Sequence, residues 1–140
     1  MTRTKLINAS AIALILFSAF AILSVSVMAF VNPQSVMDLV QVKLPNTDAY
    51  SSIRGVYGGV GLTIVVTLIY LAFADTVKGL VFLILLWGFY ALSRFITMLV
   101  DGPLGAFGQQ WLLTESLLCL LAVMLVVLYR QAGIQKTMAV

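Results

Sequence analysis

Long apolar runs separated by short polar stretches form the main pattern along this chain. Each run is long enough to cross a bilayer, because a spanning helix takes roughly 20 apolar residues. We therefore predict an all-α fold in which residues 1–140 form a single domain, an antiparallel four-helix transmembrane bundle. The helices are predicted at about residues 6–31, 50–74, 76–100 and 109–131, with an outer polar loop at 32–49.

The composition agrees with a chain whose solvent is lipid. Of its 140 residues, 62% are hydrophobic and 9% are charged, whereas a soluble domain has about 45–50% apolar and about 25% charged residues. The sequence has no histidine, which excludes His-based metal sites and catalytic triads, and its single cysteine, Cys119, excludes an intramolecular disulfide. The eight basic residues are dispersed, so no nucleic-acid partner is predicted. No metal or cofactor is predicted either.

Basic residues outside the apolar runs predict how the helices are oriented. Lys43 lies on one side of the membrane, and the other side carries Arg3, Lys5, Lys78, Arg130 and Lys136. The positive-inside rule then places both termini in the cytoplasm and the 32–49 loop outside. A cleaved signal peptide is the alternative for helix 1, but this apolar run exceeds the ~7–15 residues of a signal sequence. We therefore expect helix 1 to be retained.

Capping residues mark both ends of the 32–49 loop. Asn32 followed by Pro33 is typical of a helix N-terminus, and Asn46 or Thr47 can cap the next helix, with Asp48 in its first turn. Between these caps, apolar and charged residues are interleaved. This pattern predicts either a short amphipathic segment at the membrane interface or a plain loop.

Four ionisable residues lie in or beside the apolar runs. Arg54, Arg94 and Glu115 fall inside predicted helices, and Asp101 follows in a turn. Charges in a membrane are costly unless they meet. From the ~1.5 Å rise per helical residue, Arg94 and Glu115 sit at a similar depth, about 9 Å below the outer interface. We therefore predict one outer-leaflet cluster of two arginines and two carboxylates.

Aromatic residues at helical spacing surround the predicted cluster. Tyr57 follows Arg54 by one turn, Tyr90 precedes Arg94 by one turn, and Trp111 precedes Glu115 by one turn. One interpretation is a pocket in which arginine holds the anionic or carbonyl head of an amphiphile. The others are an ion-pair cluster that only fixes helix register, and a catalytic carboxylate.

Small residues are concentrated beside Arg54. They are predicted to let helix 2 approach its neighbours closely, as glycines do in lipid, and they are Gly55, Gly58, Gly59 and Gly61. The Gly55–Gly59 pair has GxxxG spacing, which is also compatible with a homo-oligomer contact.

The motif Arg54-x-x-Tyr57-Gly58-Gly59, followed by Arg94, Asp101-Gly102 and Glu115, resembles the bacterial domain-of-unknown-function family 4345 over most of the chain. The resemblance implies a small multi-pass protein of the bacterial inner membrane and brings no established activity. The family often has an acid two positions before this arginine, where Ser52 stands here, and alanine after it, where Gly55 stands. Arg54 therefore depends more on Asp101, Glu115 or Asp48.

These observations favour a non-enzymatic binding or accessory protein, with no catalytic residue. Its partners would be the lipid bilayer and a small amphiphile or another membrane protein. One alternative is a small transporter component that acts as a homo-oligomer. The other is a membrane lipid or sterol-type isomerase that uses Glu115 or Asp101, although paired arginines argue against it because they favour the ionised carboxylate.

Overall fold

The computed structural model describes residues 3–133, and within that range it contains helices and turns but no strand. The tail residue Lys136, used above for orientation, lies outside the described residues. The helices are α1 (Arg3–Val31), α2 (Pro33–Asp38), α3 (Thr47–Ile53), α4 (Gly61–Ala74), α5 (Thr76–Val100) and α6 (Ala106–Gln131).

Four segments are long and apolar enough to cross a membrane. The second is continuous from α3 into α4, and the segments are Arg3–Val31, Thr47–Ala74, Thr76–Val100 and Ala106–Gln131. The all-α prediction with four membrane-length helices is thereby confirmed. The cytoplasmic position of both termini stays a prediction.

A π-helical stretch, Arg54–Val60, joins α3 to α4. The predicted helix was uninterrupted there. A π turn holds more backbone per turn than an α turn and is uncommon, and it occurs often at functional sites. Three of its seven residues are glycines, and one of them, Gly58, lies against α1.

The chain divides into two compact units, each with its own packing. In the described residues, the first consists of residues 3–15 and 71–133. Here α5 and α6 run antiparallel, since Arg94 meets Glu115 while Ile84 and Gly88 meet Cys119. A Cβ added at Gly79 would lie 2.7 Å from Ile15 Cδ1, so this glycine lets α5 approach α1.

Hydrogen bonds also join helices of the first unit in pairs. Tyr129 on α6 is fully buried, and its hydroxyl donates to Asn8 Oδ1 on α1. The buried Thr76 at the start of α5 donates from its hydroxyl to the carbonyl of Ala72 on α4 at 3.1 Å. Buried polar groups in an apolar environment need such partners.

The second unit, residues 16–70, packs the later part of α1 against residues 47–70 of the next span. A Cβ at Gly58 would lie 2.9 Å from the Phe30 ring, and a Cβ at Gly61 would overlap Ser26 Oγ. The two segments are antiparallel, because Gly58 contacts Phe30 whereas Gly61, later in its own segment, contacts Ser26, earlier in α1.

The connection between these two segments is capped as predicted. Asn32 accepts a hydrogen bond from Gln34 N at 3.1 Å, with Pro33 at the first helical position. Asn46 accepts one from Ala49 N at 2.9 Å, and Asp48 lies in the first turn of α3. The helix in this connection, α2, is only six residues long.

Asp75, between α4 and α5, should make stability depend on pH. Its carboxylate caps α5 by accepting from Lys78 N at 3.0 Å, and its Oδ2 lies 2.9 Å from Lys78 Nζ. The hydrogen bond from the Lys78 side chain, followed by that from the Lys78 backbone, lowers the pKa of Asp75 below its ordinary value of 3.8. A lowered folded-state pKa adds stability above the unfolded pKa, and this stability is lost as pH falls through the folded value.

We therefore expect wild type to be more stable than Asp75→Asn at pH 7, with the gap closing as the pH falls below the ordinary value of 3.8. Asp75→Ala, which removes the cap as well as the ion pair, should be about 1 kcal/mol less stable than Asp75→Asn at neutral and at acidic pH. Thermal unfolding in detergent measures all three proteins. A gap that stays constant with pH would contradict the assigned ion pair.

Candidate functional site

Two spanning helices of the first unit carry an ion pair between them. Arg94 of α5 donates from Nε to Glu115 Oε2 at 2.7 Å and from Nη2 to Glu115 Oε1 at 2.8 Å. This two-pronged geometry is the strongest form of an arginine–carboxylate contact. The predicted pairing of a carboxylate with an arginine is confirmed, and Glu115 provides the carboxylate.

The two partners differ in burial. Glu115 keeps 2% of its side-chain surface exposed, and Arg94 keeps 22%. Both carboxylate oxygens are satisfied by the guanidinium, so the buried negative charge is compensated as an apolar environment requires. Since one side chain comes from each helix, the pair also fixes the register of α5 against α6.

Aromatic and apolar side chains lie beside the arginine on α5. Tyr90, one turn before Arg94, is 43% exposed. Its ring centroid lies 6.0 Å from that of the buried Trp87. The last turns of α5 expose large apolar side chains, namely Phe95, Ile96, Leu99 and Val100. We call Tyr90 and Arg94, which lie one turn apart on one face of α5, the outer α5 surface.

Asp101, the second carboxylate of the predicted cluster, lies at the end of α5. It is exposed and ends α5, where its backbone N–H donates to the Thr97 carbonyl at 2.8 Å. Among residues 3–133 its carboxylate forms no ion pair. The acid that neutralises Arg94 is therefore Glu115.

Arg54 lies in the second unit and contacts the end of α1. Its Nε donates to the Phe30 carbonyl at 3.3 Å. The last carbonyls of a helix lack intrahelical partners and carry partial negative charge, so a cation is favourable there. Within the described range Arg54 forms no ion pair. The sequence pattern pointed to a carboxylate and missed this carbonyl.

Tyr57 lies in the π-helical stretch and is 36% exposed. Its predicted place beside the ion pair, together with that of Arg54, stays a prediction. The ring centroid of Trp111 lies 6.2 Å from that of Phe107 in the same helix, and its predicted place beside the cluster also stays a prediction.

The four glycines near Arg54 separate into two groups. Gly58 and Gly61 are buried against α1. A Cβ built at Gly55 or Gly59 meets no atom within 4 Å. The described residues therefore bring Gly58 and Gly61 to a helix contact but not Gly55 and Gly59, although the GxxxG spacing selected the latter pair. Gly61 packs on Ser26 of α1. Nothing in the sequence around Ser26 marks it as the contact partner of a glycine.

Residues 3–133 contain no group of three or more His, Cys, Asp or Glu side chains that could hold a metal ion. Cys119 is partly buried, and its thiol lies 3.6 Å from the Ile84 carbonyl. The chemistry of the site is therefore that of the Arg94–Glu115 pair and its aromatic and apolar surroundings.

Comparison with protein families gives a match over most of the chain. The model of the family described as Domain of unknown function (DUF4345) matches residues 10–126. Neither the search of curated proteins nor the search of solved structures gives a match.

Proposed function

Because the chain belongs to the DUF4345 family, whose description assigns no activity, we propose its function from the Arg94–Glu115 site. The protein is a non-enzymatic binding or accessory protein of the membrane. The outer α5 surface holds a small amphiphile, whose anionic or carbonyl head lies at Arg94 and whose apolar part packs on Tyr90, one turn deeper in the membrane.

The observation that carries this proposal is the unequal burial of the ion pair. Glu115 is enclosed, whereas Arg94 reaches the surface with 22% of its side chain exposed, next to the exposed Tyr90. The exposed part of the Arg94 side chain is accessible to the polar group of a ligand. An arginine held rigidly by a carboxylate keeps its positive edge in a constant position, which reduces the entropy lost when a ligand binds.

The aromatic side chain next to Arg94 supports the same proposal. Small-ligand sites combine a mostly apolar surface with a few polar groups that orient the ligand. Tyr90 lies one turn before Arg94 on the same face of the helix, and it is 43% exposed. At ~1.5 Å rise per residue, the two residues are about 6 Å apart along the helix axis.

The geometry argues against an isomerase that uses Glu115. A general acid or base must reach the reacting atom within hydrogen-bonding distance. Both Glu115 oxygens already accept from Arg94, and the side chain is almost fully enclosed. Asp101 is accessible but has no partner among the described residues that would orient it.

The proposed setting is the outer leaflet of a bacterial inner membrane. This setting rests on the excess of basic residues on one side of the spans and on the positive-inside rule. The four membrane-length helices make the chain a multi-pass protein.

Native mass spectrometry combined with lipid extraction tests the proposal. Wild type purified in mild detergent should retain an amphiphile with an anionic or carbonyl head. Tyr90→Ala should lower retention about tenfold, since an aromatic contact of ~1.5–3 kcal/mol corresponds to a factor of ten or more. Phe89→Ala is the matched control, because Phe89 precedes Tyr90 on the same helix and is 64% exposed.

The thermal midpoints of both variants should be measured alongside ligand retention. The proposal requires that Tyr90→Ala loses the ligand without a matching loss of stability, while Phe89→Ala keeps it. Equal retention by the two variants, or a wild type that carries only bulk phospholipid in variable amounts, would leave the ion pair with a structural role alone.

A further inference from the structure

The connection between α2 and α3 exposes apolar side chains in a loop outside the spans. We call residues 39–45 the 39–45 loop. Leu39, Val40 and Val42 are 44%, 50% and 48% exposed, and Lys43 beside them is exposed as well. A loop in water would expose polar residues here, so this composition needs a physical reason.

A single side chain holds the loop in shape. Gln34 of α2 donates from Nε2 to Asp38 Oδ1 and to the Val42 carbonyl, both at 2.8 Å. Its Oε1 accepts from Leu44 N at 3.0 Å. These bonds use both amide hydrogens and the carbonyl of Gln34 and bring the two ends of the loop together.

The backbone of the loop adopts a defined turn with its own hydrogen bonds. Gln41 has φ of +59°, a left-handed conformation that non-glycine residues adopt at a cost. The Gln41 N–H donates to the Asp38 carbonyl and the Val42 N–H to the Met37 carbonyl, each at 3.1 Å. A connection that merely linked two helices would not need this ordering, so the arrangement presents Val40 and Val42 in a defined way.

The flanking segments place the loop at a membrane surface. Arg3–Val31 and Thr47–Ala74 are both of spanning length and are antiparallel within the second unit. Val31 therefore ends one span at the membrane face where Thr47 begins the next. The 39–45 loop lies between these two points in the chain, so both of its ends are held at that face.

We propose that the 39–45 loop is an interfacial anchor for the surrounding bilayer. Leu39, Val40 and Val42 insert into the boundary between headgroups and acyl chains, and the ammonium of Lys43 meets lipid phosphates. Interfacial elements bury apolar side chains about 5–10 Å into this boundary and carry cations at the headgroups. The occupant of this surface is lipid, not a soluble protein or a second copy.

A depth measurement tests the anchor in the full-length protein. In a Cys119→Ala background, single cysteines at Val40 or Val42 carry an environment-sensitive fluorophore in phosphatidylcholine nanodiscs. Both labels should show blue-shifted emission and be quenched by lipids brominated near the glycerol end of the acyl chain. A label at Val66, which is 66% exposed within α4, is the deep reference and should be quenched by lipids brominated near the chain end.

Gln34→Ala tests whether insertion of Val40 and Val42 into the bilayer depends on the hydrogen bonds of Gln34. Removing the three hydrogen bonds should cause a loss of shallow quenching at residues 40 and 42 and leave the Val66 signal unchanged. Red-shifted emission quenched only by aqueous iodide would place the loop in water and overturn the proposal. Blue-shifted emission without quenching by any brominated lipid would show that protein covers the loop, and would also overturn it.

Discussion

Glu115→Gln is expected to lower the free energy of unfolding by about 3–5 kcal/mol, the range seen when one partner of a buried ion pair is removed. Glutamine has the same shape as glutamate but carries no charge. Arg94 would then keep its positive charge between two spanning helices without the carboxylate that accepts from its Nε and Nη2. The 22% exposure of the Arg94 side chain places the loss toward the lower end of that range.

Two further variants show whether this loss comes from the pair. Asp101→Asn also removes a carboxylate, but Asp101 is exposed and without an ion pair in the described part of the chain. It should change stability by less than about 0.5 kcal/mol. Arg94→Met combined with Glu115→Leu should recover much of the Glu115→Gln loss, since replacing both partners by apolar residues leaves no charge.

Unfolding in detergent, followed by circular dichroism, measures these differences. Glu115→Gln and Asp101→Asn with the same midpoint would contradict the assignment of Glu115 as the buried partner.

Gly61→Ala is expected to destabilise the protein by about 1–3 kcal/mol, as overpacking of a close contact does. The added Cβ would overlap Ser26 Oγ and lie 3.3 Å from Ser26 Cβ. Ser26 is fully buried, and its hydroxyl donates to the Ile22 carbonyl at 2.9 Å. The hydroxyl must therefore give up this bond, or α1 and α4 must move apart.

Gly59→Ala is the matched control, two residues earlier in the same segment. A Cβ there meets no atom within 4 Å, so no loss is expected, and the lower entropy of the unfolded chain favours a small gain. Adding Ser26→Ala to Gly61→Ala removes the overlapping oxygen and should restore part of the stability. Equal midpoints for Gly59→Ala and Gly61→Ala would contradict the observed contact.

The number of spans was predictable because it depends on local properties of the chain. A long uncharged run in lipid must satisfy its backbone polar groups internally, and a helix does this by itself. The caps were predictable for the same reason. Asn32 and Asn46 each bond a backbone N–H two or three residues away.

The pairing of Arg94 with Glu115 was partly predictable. Counting residues from a short turn gives the depth of each side chain, and two opposite charges at one depth have a strong reason to meet. The same count could not choose between Glu115 and Asp101. That choice depends on side-chain direction, and Glu115 is directed toward α5 whereas Asp101 lies in the exposed turn.

The sequence alone determined the helical class, the four membrane-length segments, their caps and the need to compensate the intramembrane charges, because each follows from local composition and spacing. Tertiary structure decided which partner each group received. It placed Glu115 with Arg94, gave Arg54 the Phe30 carbonyl, and brought Gly61 rather than Gly59 against α1. These outcomes depend on how each helix is rotated about its axis and how closely the helices pack, and neither can be read from spacing along the chain. For Gly61 the rotation follows the π-helical stretch Arg54–Val60, where the spacing of side chains departs from that of an α-helix.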